Sequence, residues 1–290
     1  MSPLDSGLVV VDKPGGITSH GVVSRVRRLA GTRKVGHAGT LDPMATGVLV
    51  LGVNRATRLL GHLMLTEKRY DATIRLGQTR HTDDAEGEVT ATVPASHLSE
   101  EQVRTAAARF VGELQQVPTA VSAIKVDGKR AHQLVREGEQ PVLKARTVTV
   151  HELTVDDVRA VGDFVDLDVS VHCTSGTYVR AIARDLGAEL GVGGHLTALR
   201  RTEVGEFDLD VAQTLEQLED EFRLLPIAEA ARRTFPAADL GEADAAAVRF
   251  GRPLDLELAG ITAVFGPDGE FLALYEPAAR GSRPLTVFVG

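Results

Sequence analysis

The sequence predicts an α+β fold, with a mixed or antiparallel sheet flanked by helices and a small β-rich module toward the C-terminus. Two observations carry this. Segments with the two-residue period of strands and segments with helical period intermix along the chain without a strict βαβ repeat, which argues against a parallel sheet wound through crossover helices. Hydrophobic residues make up 43% and charged residues 25% of the 290 positions, the balance of a globular chain with a core. No stretch approaches the roughly 20 apolar residues that cross a bilayer, so no membrane partner is expected.

Residues 7–12 are a short apolar run and read as a buried strand. Ser19 reads as the N-cap of a helix whose apolar positions Val22, Val23, Val26 and Leu29 keep helical spacing until Gly31 stops it. Residues 47–52 are another apolar strand. Over 68–76, Tyr70, Ala72, Ile74 and Leu76 alternate with polar or charged neighbours, as in a half-buried strand. Residues 98–111 predict a helix opened by Ser99, and 129–136 a short basic helix or loop. In 163–171, Val165, Leu167, Val169 and Val171 recur at period two and predict a strand. Residues 178–190 predict a helix ended by Gly191, 196–206 a strand, and 211–221 a helix.

A boundary falls near Phe235-Pro236, giving a unit over 1–235 and a smaller one over 236–290. The smaller unit has a helix over 242–250 and apolar segments at 261–265, 271–275 and 285–289, with a Pro267-Asp268-Gly269 turn between the first two. About 55 residues is close to the lower limit for an independent core, so this piece is expected to dock on the larger one.

Net charge is −8, which taken alone argues against a nucleic-acid partner. Its distribution reverses the argument. Residues 20–80 carry 11 Lys/Arg against Asp42, Glu67 and Asp71, a local +8, whereas residues 202–290 carry 7 Arg against 17 Asp/Glu. A basic region of this kind attracts a phosphate backbone, although a solvated face has the same composition. The single cysteine, Cys173, excludes an intramolecular disulfide or multi-cysteine metal site and fits a reducing cytoplasm. The first residues lack the basic stretch of a secretory signal.

Three segments could carry chemistry. Gly36-His37-Ala38-Gly39-Thr40-Leu41-Asp42-Pro43-Met44-Ala45-Thr46-Gly47 holds three glycines ahead of a strand, a tight loop whose backbone must come close to something. It lacks the Gly-Lys-Ser/Thr of a phosphate loop, and Asp42-Pro43 by itself is also a good turn starter. Cys173-Thr174-Ser175-Gly176-Thr177-Tyr178-Val179-Arg180 passes from strand to helix, with Arg180 in the first turn, where it could equally be a solvated arginine. His172 and Cys173 cannot act as a pair, because adjacent strand residues face opposite sides. Lys68-Arg69-Tyr70 places one of only three tyrosines on a strand, a position open to a core role as well.

Together these segments resemble the bacterial tRNA pseudouridine-55 synthases of the TruB type. The opening 7–19, with Val11-Asp12-Lys13-Pro14-Gly15-Gly16-Ile17-Thr18-Ser19, is similar to that family's N-terminal signature. The resemblance implies that Asp42 is the nucleophile and His37 the base-flipping residue. It makes Tyr70 the residue that stacks on the target base, and Arg180 the partner of the catalytic carboxylate. Leu199, in Leu199-Arg200-Arg201, would line the uracil pocket. Lys13 and Asp84 would belong to the substrate-binding set, and Lys125 and Lys129 to an RNA-gripping insertion over about 115–146. The chain departs from the family at Arg80 and His81, which replace Thr and Asp, and at His132, where Tyr is common.

The implied fold is that of a pseudouridine synthase with a small PUA-like C-terminal module. The implied reaction, at uridine 55 in the TψC loop of tRNA, moves one glycosidic bond from N1 to C5. It is redox-neutral, so neither cofactor nor metal is expected, and the enzyme is expected to be a cytoplasmic monomer. A cation beside a carboxylate lowers its pKa by about 1–3 units, so Arg180 is expected to keep Asp42 ionised. Two other classes fit parts of the sequence. A non-catalytic RNA-binding protein would need none of Asp42, Tyr70 and Arg180, and a small-molecule hydrolase would leave the basic region without a use.

Overall fold

The computed structural model describes residues 6–122, 125–126, 129–130, 134, 137 and 142–289. Its elements begin with β1 (Gly7–Lys13), α1 (Ser19–Leu29), β2 (Val35–Ala38), β3 (Thr46–Val53), a 3-10 turn (Asn54–Arg58), α2 (Leu60–Leu63) and β4 (Lys68–Leu76). Next come β5 (Gln78–Arg80), β6 (Val89–Thr92), α3 (Glu100–Ala108), β7 (Gly112–Gln116), β8 (Lys125–Val126), β9 (Lys129–Arg130), β10 (Arg146–Val161) and β11 (Phe164–Cys173). After these lie α4 (Val179–Glu189), β12 (Gly194–Val204), β13 (Phe207–Asp208), α5 (Leu215–Asp220), β14 (Leu225–Pro226) and α6 (Ile227–Thr234). The chain closes with β15 (Ala237–Asp239), α7 (Glu242–Arg249), β16 (Thr262–Phe265), β17 (Phe271–Pro277) and β18 (Ser282–Val287).

The main sheet has the order β14-β1-β3-β12-β4-β11-β10-β7, with β2 added on β3 and β13 on β12. Its pairings are antiparallel except for a short parallel contact of β3 with β12, so the sheet is mixed, as expected. Burial on both faces explains why β1 and β3 are continuous apolar runs. On one face Val9 and Val11 pack with Val22, Val23 and Val26 of α1. On the other, Leu8 and Val10 pack with Leu60, Ala230, Phe265, Phe271 and Phe288. Each Val, Leu or Phe side chain among these, once fully buried, contributes about 1.5–3 kcal/mol.

The second face is covered partly by the C-terminal module, a separate sheet of order β15-β16-β17-β18. Docking, expected from its small size, is therefore realised through a shared core. Arg55 Nη1 donates to the Phe288 carbonyl at 3.0 Å and Arg58 Nη1 to the Val287 carbonyl at 2.6 Å. Two arginines of the basic region thus hold this module.

Several boundaries differ from the sequence reading. Thr18, not Ser19, caps α1, its hydroxyl accepting from the Gly21 N–H at 3.0 Å. The helix expected over 211–221 shortens to α5, because Gln213 is drawn into backbone bonds with Val10 and Asp12 of β1, each 2.9 Å long. Lys129 and Arg130 are strand, paired with Val126 and Lys125. The rest of the expected 129–136 element, His132 included, lies outside the described residues apart from Leu134. Among the described residues no helix is long and apolar enough to cross a membrane.

Candidate active site

The Asp42 loop leaves β2 after Ala38 and re-enters the sheet at Thr46. Its return depends on Gly47, whose φ is +97° and whose backbone faces Arg201 of β12. A Cβ there would lie 2.1 Å from the Arg201 carbonyl oxygen, so only glycine allows β3 and β12 to meet. Ser19 fastens the loop from α1. Its hydroxyl donates to the Leu41 carbonyl at 2.9 Å and accepts from the Leu41 N–H at 2.8 Å, beside Asp42.

Lys13, expected to bind substrate, is 0% exposed. Its ammonium donates to the carbonyls of Pro14 (2.9 Å), Ile17 (2.7 Å) and Pro43 (3.2 Å). With its donors aimed at carbonyls it braces the loop. Burial lowers its pKa to about 8, against the opposing pull of Asp42 and Glu86.

Arg180, the second residue of α4, meets Asp42 as expected. Nε lies 3.0 Å from Asp42 Oδ2, and Nη2 donates to Oδ1 at 3.3 Å. Nη1 lies 3.2 Å from Asp84 Oδ2, and the carbonyls of Thr82 and Val121 accept at 2.8 and 2.9 Å. The Arg180 side chain is 5% exposed and that of Asp42 is 34% exposed, so the guanidinium is enclosed while the carboxylate keeps one open side. The α4 N-terminus is itself held by Gln116 of β7, which donates to the Tyr178 carbonyl at 3.1 Å and accepts its N–H at 2.8 Å.

Asp84, expected among the substrate-binding residues, is 2% exposed. Its carboxylate serves Arg180, the Thr82 hydroxyl and the Glu86 N–H at the wall of a cavity that Asp42 also lines. Sharing Arg180 between two carboxylates has an electrostatic consequence. Burial raises the Asp42 pKa above the ordinary value; Arg180 pulls it down, Asp84 pushes it up, and Lys13 and Arg201 pull it down. The expectation that Arg180 lowers the Asp42 pKa is therefore corrected: desolvation prevails over the guanidinium.

Asp42 and Arg180 stand where two cavities meet. The first, about 270 Å³, is also lined by Lys68, Tyr70, Leu199 and Arg201. The second, about 510 Å³, is lined by His20, His37, Asp84 and Glu86 with them. Tyr70 and Leu199 therefore face Asp42 from one side and His37 from the other. Tyr70 is both core and cavity wall, 7% exposed, and burial raises its hydroxyl pKa, so it is a neutral phenol at pH 7. Burial lowers the His37 pKa, and its Nδ1 is buried without a hydrogen-bond partner among the described residues. The backbone of Lys125 and Lys129 sits in the β8–β9 pair.

Lys68 and Arg69, which belong to the basic region over 20–80, are otherwise engaged. Lys68 is 6% exposed and donates to the Met64 and Thr66 carbonyls at 3.2 and 2.8 Å. Arg69 pairs with Glu203 at 3.1 Å and Glu152 at 3.5 Å. The sequence reading gave no role of its own to Arg201 or Gln116, and gave Ser19 only that of a helix cap. For Ser19 the available signal was its place at the end of the 7–19 signature.

The family model described as TruB family pseudouridylate synthase (N terminal domain) covers residues 27–179. The models described as tRNA pseudouridylate synthase B C-terminal domain and tRNA Pseudouridine synthase II, C terminal, cover 180–231 and 235–289. The tRNA pseudouridine synthase B of Thermobifida fusca (strain YX) is 56% identical over 289 residues, spanning 98% of this chain and 99% of that protein. The chain belongs to the tRNA pseudouridine synthase B family. A second member, from Nocardia farcinica (strain IFM 10152), is 59% identical over 285 residues, covering 98% of this chain and 92% of that protein. Among solved structures, a chain of a Cbf5-Nop10-Gar1 complex superposes with a TM-score of 0.75 at 25% identity, over 98% of this chain and 85% of that one. The pseudouridine-synthase fold expected from the sequence is thereby borne out.

Proposed function

We propose that this chain converts uridine 55 in the TψC loop of tRNA to pseudouridine, with Asp42 as nucleophile and the target base turned out of the RNA. The relatives named above are tRNA pseudouridine synthases. The observation that carries the reading is the Asp42 carboxylate, held at two points by a buried Arg180 and open toward a cavity walled by Tyr70 and Leu199.

The isomerisation breaks C1′–N1, forms C1′–C5, takes a proton from C5 and returns one to N1. A carboxylate that adds covalently and later leaves can divide this into two easier steps. Extruding the base costs a few kcal/mol. Stacking on an aromatic ring returns about 1–3 kcal/mol, the task assigned to Tyr70. His37, uncharged at neutral pH, suits filling the space the base leaves without placing a cation there. The RNA-gripping insertion over about 115–146 would bring Lys125 and Lys129 to the backbone of the stem-loop. The division into 1–235 and 236–290, action in the cytoplasm and a monomeric state belong to the same reading.

The test is incubation with an unmodified tRNA transcript, followed by carbodiimide treatment and primer extension. A stop at position 55 that Asp42→Asn does not produce is expected. No modified uridine, or equal modification by the variant, overturns the reading.

A further inference from the structure

We propose that Arg201 is a positioning residue for this reaction, aiming the Tyr70 hydroxyl into the cavity while holding both ends of the Asp42 loop. It rests on the reading of Asp42 and Tyr70 just given.

The geometry begins in the sheet. Arg201 of β12 is the cross-strand partner of Tyr70 on β4 and, on its other side, of Gly47 on β3. Directly opposed residues project to the same face of a sheet, and both side chains line the cavity that Asp42 faces. A register irregularity in β12 directly follows, between Arg201 and Glu203, a feature that re-aims side chains beside functional sites.

Burial makes the residue unusual. Arg201 is 1% exposed and heads the largest fully buried side chains. A buried charge is costly unless its donors are satisfied, and a hydrophobic side chain would fill the volume at less cost. Its Nε donates to the Val48 carbonyl at 2.7 Å and Nη2 to the Gly39 carbonyl at 3.1 Å. Those two carbonyls flank the Asp42 loop, so one planar fork fixes both its ends. The same guanidinium acts by charge and hydrogen bonding to lower the Tyr70 pKa against burial, and its charge favours the ionised form of Asp42. Lysine cannot reproduce this, because a point charge on a flexible stem lacks the fork.

The experiment is a double-mutant cycle of Tyr70→Phe and Arg201→Lys in the full chain, read as kcat and KM on a tRNA transcript. Arg201→Lys is expected to lower kcat by about 10²-fold with KM little changed. In the Tyr70→Phe background the loss should shrink to about tenfold, because the hydroxyl it orients is gone and only its brace on the Asp42 loop remains to be lost. Equal losses in both backgrounds would reduce Arg201 to a loop brace and overturn the inference while leaving Tyr70's role intact. A Tyr70→Phe variant with wild-type kcat would overturn both. If Arg201→Lys does not fold, ¹⁵N-arginine spectra of wild type and Tyr70→Phe decide the matter. A slowly exchanging guanidinium resonance perturbed by loss of the single hydroxyl is expected, and identical spectra overturn the inference.

Discussion

Arg180 touches Asp42 at two points, Nε to Oδ2 at 3.0 Å and Nη2 to Oδ1 at 3.3 Å, while its remaining nitrogen serves Asp84 at 3.2 Å. The nucleophile's protonation is therefore a contest between burial, which raises the Asp42 pKa, and a guanidinium shared with a second carboxylate. Attack requires the ionised form, so activity should fall as pH drops through the Asp42 pKa. Arg180→Lys keeps the charge but loses the two-point contact. The acid limb of the kcat profile should move to higher pH and kcat should fall on the order of 10²-fold. An unmoved limb would mean that Arg180 does not govern Asp42.

Asp42→Asn removes the ionisable acid and keeps the shape. Turnover should be abolished while RNA affinity stays close to wild type, and residual activity above about 1% would count against covalent catalysis by this residue. Stability offers an independent check. A carboxylate whose folded pKa is raised destabilises the folded state fully above that pKa, and the effect fades as pH falls from there to the ordinary carboxylate value. The variant should therefore melt no lower than wild type at pH 7, with its advantage shrinking as pH falls through the raised pKa. Thermal unfolding across that range measures both.

Some of this site was legible in the sequence and some was not, for identifiable reasons. The Asp42–Arg180 contact spans 138 residues, and only the family resemblance could join them. Gly47 could be read as a close-approach glycine, but what approaches it, Arg201, is a parallel-strand neighbour that local pattern cannot reveal. The burial of Lys13, Lys68 and Asp84 was not legible, because charge suggests solvent, whereas each satisfies its polar atoms inside the protein. The strand β10 escaped because its apolar positions Val148, Val150, Leu153, Val155 and Val158 are spaced two, three, two and three apart. Register shifts between Val150 and Glu152 and between Val155 and Asp157 add the extra residues and reset the phase of the alternation.

Tyr70 belongs to the core cluster as well as to the cavity wall, so its two truncations should separate. Tyr70→Phe removes one oxygen and leaves the stacking face. It should melt near wild type and bind RNA normally, yet lose much of kcat. Tyr70→Ala should destabilise by about 3–5 kcal/mol, the range for removing a buried aromatic ring, and should weaken binding as well. Small and equal kinetic effects in the two variants would leave Tyr70 with its packing role alone.

Salt dependence tests where RNA is held. Of the basic residues upstream, Lys68 is buried, Arg69 is paired with glutamates, and Arg55 and Arg58 hold the C-terminal module. Arg33 and Lys34, at the exposed turn between α1 and β2, remain available to phosphate. Each phosphate contact contributes roughly −0.7 to −0.9 to the slope of log K against log salt, so Arg33→Ala with Lys34→Ala should flatten it by about 1–2 units. Lys125→Ala with Lys129→Ala should do the same by the same count. Arg249 and Arg283 in the C-terminal module are paired with Glu270 and Glu276 at 2.6 and 2.7 Å, so their joint replacement by alanine should leave the slope unchanged. These substitutions leave the apolar seam between module and main sheet intact, which a truncation at residue 235 would expose. If the Arg249/Arg283 variant flattens the slope as much as the Arg33/Lys34 variant, the acidic module grips RNA and the charge map has been misread.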